Sequence, residues 1–198
     1  MMEAMGESTA LHKDERVSEA VKNGFTEKCY DGQPFFSERH QVGSITYSNK
    51  GDAKLDAESF QAARQSIMSL KNEKGQPLNI VPNVLLVPPA LEKEARMILE
   101  AELVNGTSNI NKGLAEVVVW SQLADKPTQW YLLCTKRSLK PFIFQERRKA
   151  KFTAMTRETD ENVFMRSEYL YGVDARDGVG YGFWQMAYGS TGTASSMG

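Results

Sequence analysis

The chain has 198 residues, 41% of them hydrophobic and 25% charged, with a formal net charge of −1 at pH 7. That length buries a real core as one domain or two small ones, and the near-neutral balance excludes a global field steering the molecule to nucleic acid or to a membrane. No apolar run approaches the roughly 18 residues of a transmembrane helix, and the opening MMEAMGESTALHKDE lacks the basic-then-apolar order of a secretory signal.

Residues 3–23 predict a helix with a narrow apolar stripe of Leu11, Val17, Ala20 and Val21, and Gly24 is placed as its C′ terminator. A helix so polar has little core to face. It crosses a surface or packs against another chain. Residues 24–49 read as irregular, with turn signals at Asp31-Gly32 and Pro34. Tyr30, Phe35 and Phe36 are expected to pin this loop to a core, and Ile45-Thr46-Tyr47 to form a short strand. The clearest helix spans 56–70. Asp56 suits its N-cap, Glu58 its first turn, and Phe60, Ala63, Ile67 and Leu70 share one face.

NVLLV (83–87) reads as a buried strand, stopped by Pro88-Pro89. Pro89 opens a helix running to about residue 103, with Leu91, Ala95, Ile98, Leu99 and Leu103 on its apolar face. After a loop at 105–113, strands are predicted at 115–120, 129–134, 141–145 and 151–155. The run NVFMRSEYLYGVDARDGVGYGFWQMAYGS (162–190) alternates, carries the turn signal Asp177-Gly178, and alternates again, which predicts a long β-hairpin. Val163, Met165, Tyr169, Tyr171 and Val173 share one face of its first arm, with Arg166 and Glu168 on the other. Phe183 and Trp184 put large rings on opposite faces of the second arm, so that arm needs cover on both sides. The small, polar GSTGTASSMG (189–198) reads as a disordered tail.

Cys29 and Cys134, without an export signal, are expected as reduced thiols in a cytosolic setting. The glycosylation pattern at Asn105-Gly106-Thr107 is then a chance match. Cys29 and His40 form the one candidate nucleophile–base pair, in a turn-rich loop with no helix N-terminus to activate the thiol. Zinc spacing is absent: His12, Cys29, His40 and Cys134 make no C-x-x-C or H-x-x-x-H pattern, and no metal or cofactor is expected. Gly178-Val179-Gly180-Tyr181-Gly182 lacks the spacing of a phosphate-binding loop, and its glycines fit a turn and close strand approach.

A basic block, Lys136, Arg137, Lys140, Arg147, Arg148, Lys149 and Lys151, is interleaved with Phe142, Phe144 and Phe152. That is compatible with a nucleic-acid groove. The acidic block that follows, Glu158, Asp160 and Glu161, favours contacts between copies of the chain instead. A solvated face is the bland reading. The candidate subunit contacts are therefore Arg137, Lys140, Arg147, Arg148, Glu158, Asp160, Glu161, Phe183 and Trp184.

GFTEKCYDGQPFF (24–36), PNVLLVPPALEKEA (82–95), NGTSN and KG within 105–113, LKPFIFQERRK (139–149) and ENVFMRSEYLYGVDARDGVGYGFWQMAYGS (161–190) occur in one order. Together they resemble the major head subunits of bacteriophage Mu and Mu-like prophages. The resemblance implies an α+β, Hong Kong 97-type capsid fold. It places the first part of a peripheral domain at 1–78, an axial domain at 79–160, a closing peripheral hairpin at 161–190 and the tail at 191–198. Residues 3–23 would match the later part of a long spine helix, so the chain is expected to lack the family's N-terminal arm and extended loop, and to stay monomeric or weakly associated alone. The implied function is a structural, non-enzymatic shell subunit. Its partners are copies of itself, packaged double-stranded DNA without sequence readout, and scaffold and portal proteins, with no membrane. Its place is the virion, after assembly in the bacterial cytoplasm. The alternatives are a non-viral nanocompartment shell protein of the same fold, a cysteine hydrolase using Cys29 and His40, and a nucleic-acid-binding module.

Overall fold

The computed structural model describes residues 2–104, 106–155, 157 and 170–194. Helix α1 (Met2–Asn23) is the expected first helix. Its stripe is covered only toward the C-terminal end: Ala20 and Val21 are buried, Val17 packs partly on the core, and Leu11 stays exposed. Gly24 does not adopt the left-handed conformation of a C′ cap. It is needed for space, because a Cβ there would lie 2.8 Å from the Phe36 ring.

Strands β1 (His40–Val42) and β2 (Ile45–Tyr47) form a small antiparallel ladder, followed by β3 (Lys50–Gly51). Phe35 and Phe36 pin this region as expected. Tyr30 does not. It is 61% exposed, lies against Phe183 with ring centroids 5.7 Å apart, and exchanges a hydrogen bond with Gln185 at 3.2 Å. Helix α2 (Ala57–Met68) is capped by Asp56, whose carboxylate accepts from the Ser59 amide at 2.7 Å while the Ser59 hydroxyl accepts from the Asp56 amide at 3.0 Å. Phe60, Ala63, Ile67 and Leu70 are buried.

Strand β4 (Val84–Val87) leads through a 3₁₀ turn, Pro89–Leu91, into α3 (Glu92–Leu99). This helix ends a turn earlier than its apolar pattern predicts. The Asn109 side-chain amide donates to the carbonyls of Ile98 at 2.9 Å and Ala101 at 3.0 Å, and the Gly113 amide donates to Leu99 O at 2.9 Å. The loop thus satisfies the last carbonyls that another helical turn would have used. Leu103 falls instead in β5 (Leu103–Val104), paired with β6 (Thr107–Ser108), and is exposed. Strands β7 (Glu116–Val119) and β8 (Trp130–Leu133) lie where the sequence predicts them.

The C-terminal run departs most. The strands expected at 141–145 and 151–155 are one strand, β9 (Phe142–Met155), antiparallel to β10 (Leu170–Tyr181). Asp177 and Gly178 do not turn. They lie within β10 opposite Glu146 and Gln145, and Gly178 lacks the positive φ of a hairpin turn. With β9 as a full-length partner, their backbone joins a ladder in place of closing a loop. Val163, Met165, Arg166, Glu168 and Tyr169 of the expected first arm lie outside the described residues. Phe183 and Trp184 do not sit on a strand either. After Gly182, where a Cβ would run into the Lys140 carbonyl, a 3₁₀ turn at Trp184–Met186 carries the chain into β11 (Ala187–Ser190).

The central five-stranded sheet has the order β3-β11-β8-β4-β7. Strands β4 and β7 are parallel, joined by a crossover through α3, and β8 runs antiparallel to both β4 and β11. The sheet takes strands from all three segments expected in separate domain parts. Around it pack Phe35, Phe36, Phe60, Trp130, Tyr131 and Trp184, each almost fully buried. The predicted tail is not disordered where it is described: the Thr191 amide donates to Gly51 O at 3.0 Å and the Ala194 amide to Asp52 O at 2.8 Å. Its small residues fit close packing, since a Cβ on Gly189 would meet the Phe36 ring at 2.9 Å.

Candidate functional site

The basic block divides once side chains are placed. Arg137 donates to the Asn79 carbonyl at 2.8 Å and Lys140 to the Thr135 carbonyl, so both tie down neighbouring loops. Arg148 meets Asp174 of the paired strand at 2.6 Å. Arg147, Lys149 and Lys151 are exposed along β9. Glu158, Asp160 and Glu161 lie outside the described residues.

The β9–β10 ribbon is a two-stranded sheet of its own, held at one end by α1. Lys13 reaches Glu146 at 2.7 Å and stands 5.5 Å from the centre of the Phe144 ring, while His12 lies 3.6 Å from Asp177. The hydrogen bond from Lys13 holds the Glu146 carboxyl below its usual range. The Tyr181 hydroxyl, on the same ribbon, lies 2.9 Å from both Ala20 O and a Glu27 carboxylate oxygen. Burial and the adjacent Glu27 push that phenol upward.

The two candidate aromatics separate. Phe183 is 39% exposed, whereas Trp184 is 1% exposed and stacks on His40, with centroids 4.2 Å apart and planes within 5°. Trp184 is therefore a core residue. A further apolar surface opens beside α3, where a cleft of about 700 Å³ is bordered by Leu55, Met97, Ile98, Val104 and Ile110. Met97 and Ile110 are exposed there.

Cys29 and His40 come together, but through a third residue that the sequence reading took only for a turn. The Cys29 thiol donates to Asp31 Oδ1 at 3.1 Å, and His40 Nδ1 lies 2.6 Å from Asp31 Oδ2. Burial, and then the Asp31 hydrogen bond, push the Cys29 thiol up to about 11. A nucleophilic cysteine needs the opposite shift, and its base turned toward it. Burial alone would raise Asp31. The hydrogen bonds from His40, Cys29 and the Gln33 amide outweigh it and hold Asp31 below its usual range.

Behind the histidine stands Asn49, also missed in the sequence. Its Oδ1 accepts from the Ser37 amide at 2.8 Å, and its Nδ2 donates to the carbonyls of Phe35 at 2.8 Å, Ala187 at 3.2 Å and Trp184 at 3.3 Å. The signal available in advance was the C-x-D spacing at Cys29 and Asp31, with one histidine in the same loop. The role of Asn49 depends on carbonyls at Trp184 and Ala187, far from it in sequence.

Three overlapping segments of the chain, residues 1–54, 44–123 and 120–196, match the family described as Mu-like prophage major head subunit gpT. The chain is 33% identical over 187 residues to the major capsid protein of Escherichia phage Mu, covering 94% of this chain and 41% of that protein. It is 31% identical over 188 residues to the Mu-like prophage FluMu major head subunit of Haemophilus influenzae, covering 95% of this chain and 42% of that one. It thus spans less than half the length of these relatives.

Among solved structures it is similar to a chain of the procapsid of bacteriophage JBD30, with a TM-score of 0.50 and 31% identity over 98% of this chain and 45% of that one. The JBD30 capsid gives a TM-score of 0.57 at 21% identity over 62% of this chain and 66% of that one, a likeness of fold alone. The fold is the α+β Hong Kong 97-type capsid fold. With matches running in order along nearly its whole length, the chain belongs to the Mu-like prophage major head subunit gpT family.

Proposed function

We propose that the chain is a structural subunit of a Mu-like phage or prophage head, building with copies of itself the icosahedral shell that encloses DNA. The observation that carries this reading is the family match across residues 1–196. Likeness to a procapsid chain over 98% of the sequence supports it. The mechanism is geometric: each subunit buries modest areas against several neighbours, and repetition supplies the stability.

In this reading the exposed β9 cations, Arg147 above all, face the acidic segment of Glu158, Asp160 and Glu161 on a neighbouring copy, and Phe183 is an apolar anchor. Arg137, Lys140 and Arg148 contribute by fixing the loops and ribbon that carry those groups. Trp184 drops out of the contact set because it is buried. Packaged DNA is held without sequence readout, through backbone electrostatics. Scaffold and portal proteins are further partners, and assembly takes place in the bacterial cytoplasm. The role is not enzymatic, a reading supported by the raised Cys29 thiol and by a histidine turned to Asp31.

Co-assembly tests this directly. Produced together with the phage Mu major capsid protein, a tagged copy of the chain is expected in gradient-purified heads, and Arg147→Glu is expected to reduce its incorporation several-fold. Exclusion of the folded chain from heads that otherwise form normally overturns the proposal.

A further inference from the structure

We infer that Cys29, Asp31 and His40 form a binding site for one divalent transition-metal ion of the zinc class. Among the described residues these three metal-capable side chains have their ligand atoms within 4.8 Å of one another. The separations of 3.1 Å from Sγ to Oδ1 and 2.6 Å from Oδ2 to Nδ1 are hydrogen-bond distances, so the three side chains spread by a few tenths of an ångström to about 1 Å to reach the roughly 3.3–3.7 Å edges of a tetrahedral zinc site. Thiolate, imidazole and carboxylate together match a borderline-soft ion, not calcium or magnesium.

The second shell is already built. His40 Nε2 lies 3.1 Å from Asn49 Oδ1 and 3.2 Å from Phe35 O. Both are acceptors, because the three carbonyls around Asn49 Nδ2 fix which way that amide points. Nε2 therefore carries hydrogen, and Nδ1 is the nitrogen left to bind. Trp184 stacks on the ring and sets its plane. A histidine whose far nitrogen donates to a carbonyl, and whose near nitrogen faces a carboxylate and a thiol, has the orientation of a metal-ligating imidazole. His40 is fully buried, whereas Cys29 and Asp31 are partly exposed, so an ion enters from solvent and keeps a water as its fourth ligand.

The exchange balances. In the metal-free protein the Cys29 thiol carries a proton that it donates to Asp31 Oδ1. A divalent ion displaces that proton to solvent, takes the place of the Nδ1···Oδ2 hydrogen bond, and binds one thiolate, one carboxylate and one neutral imidazole. The ion would clamp the 29–33 turn onto β1, joining an exposed loop to the core.

Titration of the purified chain with Co²⁺ and Zn²⁺ tests the site. The expected result is one ion per chain, a near-ultraviolet thiolate-to-cobalt band, and release of the thiol proton on binding, seen when binding heats are compared across buffers. Cys29→Ser should abolish the band and weaken Zn²⁺ by tenfold or more. Asp31→Asn should weaken Zn²⁺ similarly, while Cys134→Ser should leave both readouts unchanged. A wild-type chain that binds cobalt without a thiolate band, or takes up no stoichiometric ion at micromolar concentration, overturns the inference. So does Zn²⁺ affinity that survives both Cys29→Ser and Asp31→Asn. The readouts need no assembled head, so failure of the capsid reading leaves them intact.

Discussion

Gly189 lies flat against the ring of Phe36: a Cβ built on this glycine would come within 2.9 Å of the ring's Cγ and Cδ1. A Cβ on Gly24 would meet the same ring at its Cε2, 2.8 Å away. Phe36 is thus wedged between the end of α1 and β11, with no exposed surface to retreat into. Gly189→Ala should therefore destabilise the fold by about 1–3 kcal/mol, the usual cost of overpacking a filled core. Urea denaturation of the variant, with an unchanged m-value, is the check.

Asn49 is a buried hub joining β11 to the loop before β1. Replacing it with alanine leaves the Ser37 amide without its acceptor and takes away the buried donor shared by the carbonyls of Phe35, Trp184 and Ala187. Each unsatisfied buried group costs on the order of 1–3 kcal/mol. Asn49→Ala should lose about 3 kcal/mol or more, enough to leave little soluble protein. Asn49→Asp should do no better, since it removes the donors to the carbonyls of Phe35, Trp184 and Ala187.

At α2 the cap is reciprocal, so its two members act as a unit. Asp56→Ala should cost about 1 kcal/mol, and Ser59→Ala somewhat less. The double variant should cost less than the sum, because either change breaks the same box. Thermal or urea unfolding of the three proteins reads this coupling.

With its thiol pushed up to about 11, Cys29 stays protonated across the neutral range. In the metal-free native protein its alkylation by iodoacetamide at pH 8 should run about a hundredfold slower than that of an unshifted thiol. The rate should climb with pH until the thiol titrates near 11. Denaturation should restore the ordinary rate, and Asp31→Asn should accelerate the native reaction by removing an acceptor and a negative charge. Peptide mass spectrometry separates Cys29 from the buried Cys134.

Most elements were legible because their signals are local. The Asp56 cap, the Phe60-Ala63-Ile67 face and the NVLLV strand each follow from a few adjacent residues. The C-terminal run misled for the same reason. Asp177-Gly178 is a sound local turn signal, yet a strand some 30 residues earlier holds it extended. Leu103 continued the periodicity of α3, but Asn109 and Gly113 had already claimed the carbonyls at its end. Glycine invited a similar error at Gly24, where crowding by Phe36 and not backbone freedom explains the residue. The Cys29–His40 pairing was visible as a possibility. Its meaning was not: Asp31 joins the two within one loop, but Asn49 behind the histidine is fixed by the carbonyls of Trp184 and Ala187, over a hundred residues away.

Strand β11 enters the central sheet between β3 and β8. Strand β3 has no other partner there, so it stays unpaired until residues 187–190 arrive. During synthesis β4, α3, β7 and β8 can associate early through connections of moderate length. The edge of β8 then remains open while the whole β9–β10 ribbon is being made. An open apolar edge, WYLL, invites pairing with another chain. Closure of that edge by a late strand therefore sets the window in which this chain is most exposed to aggregation.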